Sequence, residues 1–448
     1  MNPPDLPPPS PPSLPPPSPV IRPPQRGMST GWIIVLVIVG VAFIGGLLAA
    51  LAVPAFQRFQ KLAQEAKEKR HQAVQPPPPL TPAQQQAFEK FGAELAGALK
   101  KSDDVHVKRL LDTEAIADRV FDSRTDSIPQ VGEVRKGFVE GAGKRQGGWL
   151  GDLLGADVKP LHFHTRDGFP AILLRIKPKD GGVNYVDVLA RPDGESFRVV
   201  DMFGYLYATL ISEEARRLIA VMIPNSGAGA LASWLGVPNF DKAMLDHLQS
   251  ATKMLREGRF AEALNLCQTL PEPYRSQRLF FIIRLEALMA LNGTGEGKHD
   301  AAYKDALRAA PNILGQDSTT DLLMIDLHFL DGNFAEADAS IQRVERIIGG
   351  DPYLKVLRAN TRRMMKDYDG ALKLANEAQH DEPDLADAVD ARITIHLERK
   401  DYRGLVAELR AFKRDFGITL DRKALDEPMY AEFVASPEFA AWEKEIQK

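Results

Sequence analysis

Four side chains in one stretch, His162, His164, Asp187 and Asp201, are of the types that do chemistry. The histidines are two apart, so on a strand they point to one face, where they could begin a metal site with Asp187 or Asp201. No cysteine and no third histidine lies nearby, and alternating polar residues on an antiparallel strand ordinarily form its wet face. Asp187 and Asp201 could instead oppose one another across neighbouring strands as an acid–base pair; opposite faces, each acid solvated at a strand edge, is the simpler alternative. Gly141-Ala142-Gly143-Lys144-Arg145 glances at a phosphate loop, but that loop needs Gly at position 138 and a hydroxyl at 145, where Phe138 and Arg145 stand. The expectation is therefore no catalytic residue, no metal ligand set and no cofactor.

Composition narrows the classes further. Lys+Arg 56 against Asp+Glu 60 gives a net charge of −4, so no broad basic field exists to attract nucleic acid. Cys267 is the single cysteine, which excludes an internal disulfide and a cysteine zinc site. With 448 residues, 26% charged and 44% hydrophobic, the chain has room for several globular units.

The elements that would position the four residues run from 83 to 225. Helical patterns over Gln84–Lys100, Val105–Phe121 and Val131–Gly141 precede four β-branched runs at Leu161–Thr165, Ala171–Lys177, Tyr185–Arg191 and Ser196–Phe203. Asp167-Gly168, Asp180-Gly181-Gly182 and Asp193-Gly194 separate the runs as hairpin turns. Helices followed by an antiparallel meander predict an α+β unit, closed by a helix capped at Ser212 with Glu213 and Glu214 in its first turn. The order resembles nuclear-transport-factor-like or cystatin-like domains, as does the Phe197-to-Phe203 strand followed by a Ser-Glu-Glu helix start. That family includes both enzymes and empty binding modules, so fold alone does not decide, and a small-molecule-binding or enzymatic cavity in 83–225 stands as the alternative to the interaction scaffold described below.

Toward the N-terminus, residues 1–31 form a Pro-rich tail read as an extended tether, with a ligand for aromatic-lined grooves as the other reading. No charge occurs between Arg26 and Arg58, and the run 32–53 makes a helix of roughly 33 Å, enough for a ~30 Å hydrocarbon core. A single transmembrane helix is expected there, the competing reading being a signal peptide cut near Ala50-Leu51-Ala52. Gly46 to Arg58, through Pro54-Ala55-Phe56, resembles the N-terminal helix of type IV pilin-like proteins. No acid stands at Ile33 to Val37, so the resemblance implies an uncleaved anchor of that style. A juxtamembrane amphipathic helix (54–75) and a Pro-rich linker (76–82) would follow. The expected localisation is a single-pass cell-membrane protein, in contact with lipid through 32–53, with 54–448 outside the cytoplasm. The basic count of Arg58, Lys61, Lys67, Lys69 and Arg70 argues for the opposite orientation.

Beyond a linker at 226–239 the chain becomes repetitive. Gly258-Arg259-Phe260, Gly332-Asn333-Phe334, Lys366-Asp367-Tyr368 and Lys400-Asp401-Tyr402 mark the same turn, and the last three aromatics are 34 residues apart. Tyr303-Lys304-Asp305-Ala306 fills the gap between 260 and 334. A helix–turn–helix unit at that period resembles the tetratricopeptide repeat, in which a small residue three after the aromatic lets the helices approach. Five helix pairs, with Met429–Trp442 as capping helix, would make 240–448 an all-α solenoid. The fold class expected is thus multidomain: transmembrane helix, α+β unit, solenoid. In the fourth pair Val356, Asn360 and Arg363 share a face of the first helix. The resemblance lends Asn360 and Arg363 a role in gripping a peptide carboxylate, whereas the plainer reading makes the basic residues of that helix a solvated surface that Asp387, Asp390 and Glu398 could neutralise. The function expected is a membrane-anchored interaction scaffold, not an enzyme, with a protein or peptide partner in the groove.

Overall fold

Thr81 starts the first helix as its side chains dictate. Its hydroxyl accepts from Gln84 N while the Gln84 amide takes the Thr81 N–H, and Pro82 fills the first turn. The computed structural model describes residues 75–122, 125, 131–177, 182–222, 242–293, 297–315, 320–417 and 424–446.

Helix α1 (Pro82–Lys100) is followed by α2 (Asp104–Leu110), α3 (Thr113–Val120) and α4 (Val131–Lys144). The single helix expected over 105–121 is two, because Leu111 turns extended and bridges Val199 while Asp112 caps α3 by accepting from Ala115 N. Four strands then form an antiparallel meander in sequence order: β1 (Asp157–Arg166), β2 (Phe169–Lys177), β3 (Asn184–Asp193) and β4 (Ser196–Gly204), with the two-residue β5 (Thr209–Leu210) beside β4. The first hairpin turns on Asp167 and Gly168, both at positive φ (51° and 82°), as a two-residue turn between right-twisted strands requires.

One sheet face carries Phe163, Ile172, Val188 and Phe197 and rests on α1, where Phe88 lies 5.6 Å from Phe163 and 4.8 Å from Phe197. The other face carries His164, Arg175, Tyr185, Asp187 and Asp201. It was expected to be wet, yet Arg175, Tyr185, Asp187 and Asp201 are buried on it. Helix α5 (Ile211–Met222) closes the unit. Its N-terminus is held by Asp201 from β4, which accepts the Ser212 N–H at 3.2 Å and the Ser212 hydroxyl at 2.6 Å, so Ser212 is a donor here and the cap comes from the sheet.

The C-terminal part is helical. Five hairpins run α6 (Lys242–Arg256) with α7 (Phe260–Thr269), α8 (Arg278–Gly293) with α9 (Asp300–Leu314), α10 (Asp321–Leu330) with α11 (Phe334–Ile348), α12 (Pro352–Met364) with α13 (Tyr368–Asp381), and α14 (Ala386–Arg399) with α15 (Tyr402–Phe416). Four of the turns are the same turn. Gly258, Gly332, Lys366 and Lys400 take positive φ (72°, 71°, 62° and 60°), and the residue after each donates its N–H five residues back, to Met254, His328, Arg362 and His396 O. Three residues after the aromatic, Ala263, Ala337, Ala371 and Leu405 are fully enclosed, and Ala306 nearly so. Short helical turns at 428–434 and α16 (Pro437–Ile446) end the array, with Phe433, Phe439 and Trp442 packed on Val389, Leu405 and Leu409.

One apolar core runs unbroken from Phe88 in α1 to Ala391 in α14, so the sheet unit and the hairpins share an interior. The expected tail, transmembrane helix and most of the juxtamembrane helix (1–74), like the 226–239 linker, lie outside the described residues. Among the described residues no helix is long and apolar enough to cross a membrane; the longest, the 19-residue α1, carries Glu89, Lys90, Glu94 and Lys100. The fold class is therefore corrected to mixed α/β, an antiparallel sheet with helices and a helical C-terminal part. The single-pass cell-membrane localisation is withdrawn with it, since no described helix supplies the span it requires.

Candidate functional site

Arg175, in mid-β2, reaches into the hairpins. Its Nη1 donates to Asp351 Oδ1 at 2.7 Å and to Glu382 Oε2 at 2.9 Å, and its Nη2 to Glu382 Oε1 at 2.5 Å. Tyr185 on β3 donates to the second Asp351 oxygen at 2.7 Å. Asp351 is there because α12 needs a cap: it accepts from Tyr353 N, with Pro352 at the first helical position. Lys159 adds a bond to Glu382 at 2.8 Å, Lys177 pairs with Asp387, and His162 donates to Gly350 O at 2.6 Å. These contacts fall on the connections 349–351 and 382–385 and on the first turn of α14.

The charges are closely matched. Burial works against the charge of Glu382, but Arg175 and Lys159 outweigh it and hold the carboxyl below its ordinary value. Burial likewise opposes the Arg175 guanidinium, and Glu382 and Asp351 overcome it and raise its pKa. Burial, reinforced by Asp351, lifts the Tyr185 hydroxyl well above its usual value, so it stays a donor.

Of the three groove residues predicted on α12, Val356 is buried, Arg363 is enclosed with 2% of its side chain exposed, and Asn360 is half-buried. Arg363 Nη1 donates to Glu398 of α14, the neighbouring acid that could neutralise it, and Arg363 Nε has no hydrogen-bond partner among the described residues. Arg358 and Arg362 are tied to Asp338, Glu345 and Asp367. Most of the basic character of α12 is therefore spent within the fold.

The histidines part company. His162 serves the contact with the hairpins, whereas His164 Nε2 donates to Asp187 Oδ1 at 2.8 Å. A bulge between Pro160 and His162 shifts the register of β1. The other Asp187 oxygen accepts from Arg166 Nε and, at 3.1 Å, from the Tyr205 hydroxyl. Asp187 pairs in register with Phe203, while Asp201 pairs with Leu189, so the two acids share a face, contrary to the simpler expectation, yet each has its own cation. For Asp201 that cation is Arg119, whose Nε lies 2.7 Å away. No group of three metal-ligating side chains occurs among the described residues.

Sequence reasoning missed Arg175, Tyr185, Asp351 and Glu382. The signal was faint: an arginine in the apolar run Ala171 to Lys177 and acids at the starts and ends of repeated helices. No protein-family model matches the chain, and no curated protein or solved structure is significantly similar to it. What defines its class is the architecture alone, an antiparallel sheet unit clasped by charge to an array of helical hairpins.

Proposed function

We propose that the protein is an interaction scaffold whose hairpins are tetratricopeptide-type repeats, and that the face of α12 bearing Asn360 and Arg363 takes an extended, acid-bearing segment of a partner protein. The observation that carries this reading is the unused Nε of the enclosed Arg363, beside Glu398, which occupies only part of the guanidinium. An Arg fork holds a carboxylate by two parallel bonds, and Glu398 is a carboxylate that a ligand acid can replace in kind. The repeated turn, the 34-residue spacing and the enclosed small residues support the repeat assignment. On this face Asn360 is half-buried while Val356 and Arg363 are enclosed, so an incoming acid reaches Arg363 by displacing Glu398.

Photo-crosslinking from two positions of the full-length chain in its own cells tests the proposal. A crosslinkable residue at 360 captures a discrete partner that one at the exposed Lys373 of α13 does not. Capture from 373 alone overturns the assignment of the face.

A further inference from the structure

We propose that the run Pro76-Pro77-Pro78-Pro79 is a docking ridge for an aromatic-lined groove of a partner protein, of the kind that reads a polyproline II helix. This inference is independent of the scaffold reading and uses a different part of the molecule. Consecutive prolines fix φ at about −65° and push the residue before each of them out of the α region, so one regular form is open to the run, a helix of three residues per turn. Residues 76–80 are neither helix nor strand, and their burial repeats with that period: Pro77 and Leu80 are half-buried, whereas Gln75, Pro76, Pro78 and Pro79 are exposed. One edge of a three-edged helix therefore rests on the protein, and two stand in water.

The ridge is held at both ends. Leu80 packs on the shared core and leads into the Thr81 cap and Pro82 of α1. At the other end Pro76 lies against the Asp167-Gly168 turn, so closely that a Cβ on Gly168 would stand 2.7 Å from its ring carbons. A segment already fixed in the form a groove reads binds at a lower entropic cost than a chain that must first be ordered. Its polar groups are also the right ones. Proline has no N–H, so the run cannot pair as an inner strand, and among the described residues no donor engages the carbonyls of Pro76 to Pro79. What it offers is ring surface and unused acceptors, which a groove meets with the faces of its aromatic rings and with tryptophan N–H and tyrosine O–H donors. No Asp, Glu, Lys or Arg occurs between Arg70 and Glu89, so the groove that fits needs no charged pocket beside its rings.

The test uses the full-length chain and, as probe, an isolated WW domain carrying a photo-crosslinker beside its groove tryptophan, with the crosslinked peptides located by mass spectrometry after trypsin. The account predicts saturable crosslinking to the peptide 71–90, and at least about a tenfold lower yield there when Pro78→Ser and Pro79→Ser are combined, which takes one ring from each outward edge and leaves Pro76 on its turn. Replacing the groove tryptophan of the WW domain by alanine should abolish the same product without touching this chain, so the prediction stands or falls even if the serine variant fails to fold. Absence of a product at 71–90, including crosslinks confined to the prolines of 1–31, overturns the inference. So does a product at 71–90 whose yield either the folded serine variant or the altered WW domain leaves unchanged.

Discussion

Arg175 is enclosed by two carboxylates and a tyrosine in the middle of the molecule, and that sets it apart from exposed pairs such as Arg259 with Glu262. Exposed pairs are screened by water and cost little to lose. Removing the cation from a buried network leaves acids unpaired, so Arg175→Met is expected to cost about 3–5 kcal/mol in urea unfolding, while Arg259→Ala has no measurable effect. The cycle Arg175→Met with Glu382→Gln should recover part of that loss, because one of the two acids that lose the guanidinium is then neutral. The pH response has a definite sign. Glu382 is held below its ordinary pKa, so its contribution is present above the unfolded value of about 4.3 and disappears as pH falls through the folded one.

Asp326 behaves in the opposite sense. It accepts from Tyr303 at 2.8 Å, and burial raises its pKa, so it stabilises the fold below the unfolded value near 3.9 and loses that contribution as pH rises through the folded one. Asp326→Asn, which keeps an acceptor for Tyr303, should therefore raise the Tm at pH 7 and leave it unchanged at pH 3. Little of this was legible in sequence. Asp351 before Pro352 could be read as a helix start, but nothing near it announces a partner 176 residues away.

At the scale of elements, the turns carry the clearest local signal. Two of the four place lysine where the others place glycine, and Lys366 at φ 62° bears the backbone strain that Gly258 and Gly332 avoid. Lys366→Gly is expected to stabilise the chain by up to about 1 kcal/mol in thermal or urea unfolding, the strain relieved exceeding the added entropy of the unfolded chain. A loss of stability would mean that the lysine side chain supports the turn. The hairpins and the strands were readable because aromatic spacing and Asp-Gly turns are local. Two boundaries were not. The break between α2 and α3 depends on Leu111 bridging Val199, and the start of α5 on Asp201 from β4, both of which are contacts of tertiary structure. The polar sheet face was misread as wet for the same reason, since alternation shows which residues share a face and not what covers it. For the His164–Asp187 pair, sequence showed the residue types, and only the register of β1 through β3 showed that they meet.

For the whole molecule, the shared core and the charge clasp bind the sheet unit and the hairpins into one body. Hydrogen exchange on Arg175→Met should accordingly lose protection in β2 and β3 together with the first turn of α12, whereas a loss confined to the sheet would mean that the two parts hold independently. The scaffold reading is tested most directly by the affinity of the captured partner for the full-length chain carrying Glu398→Gln, measured beside Arg363→Gln. Neutralising Glu398 frees the guanidinium for an incoming acid, so the account predicts tighter binding for Glu398→Gln and weaker binding for Arg363→Gln; equal affinity in both variants, with the fold intact, would contradict it.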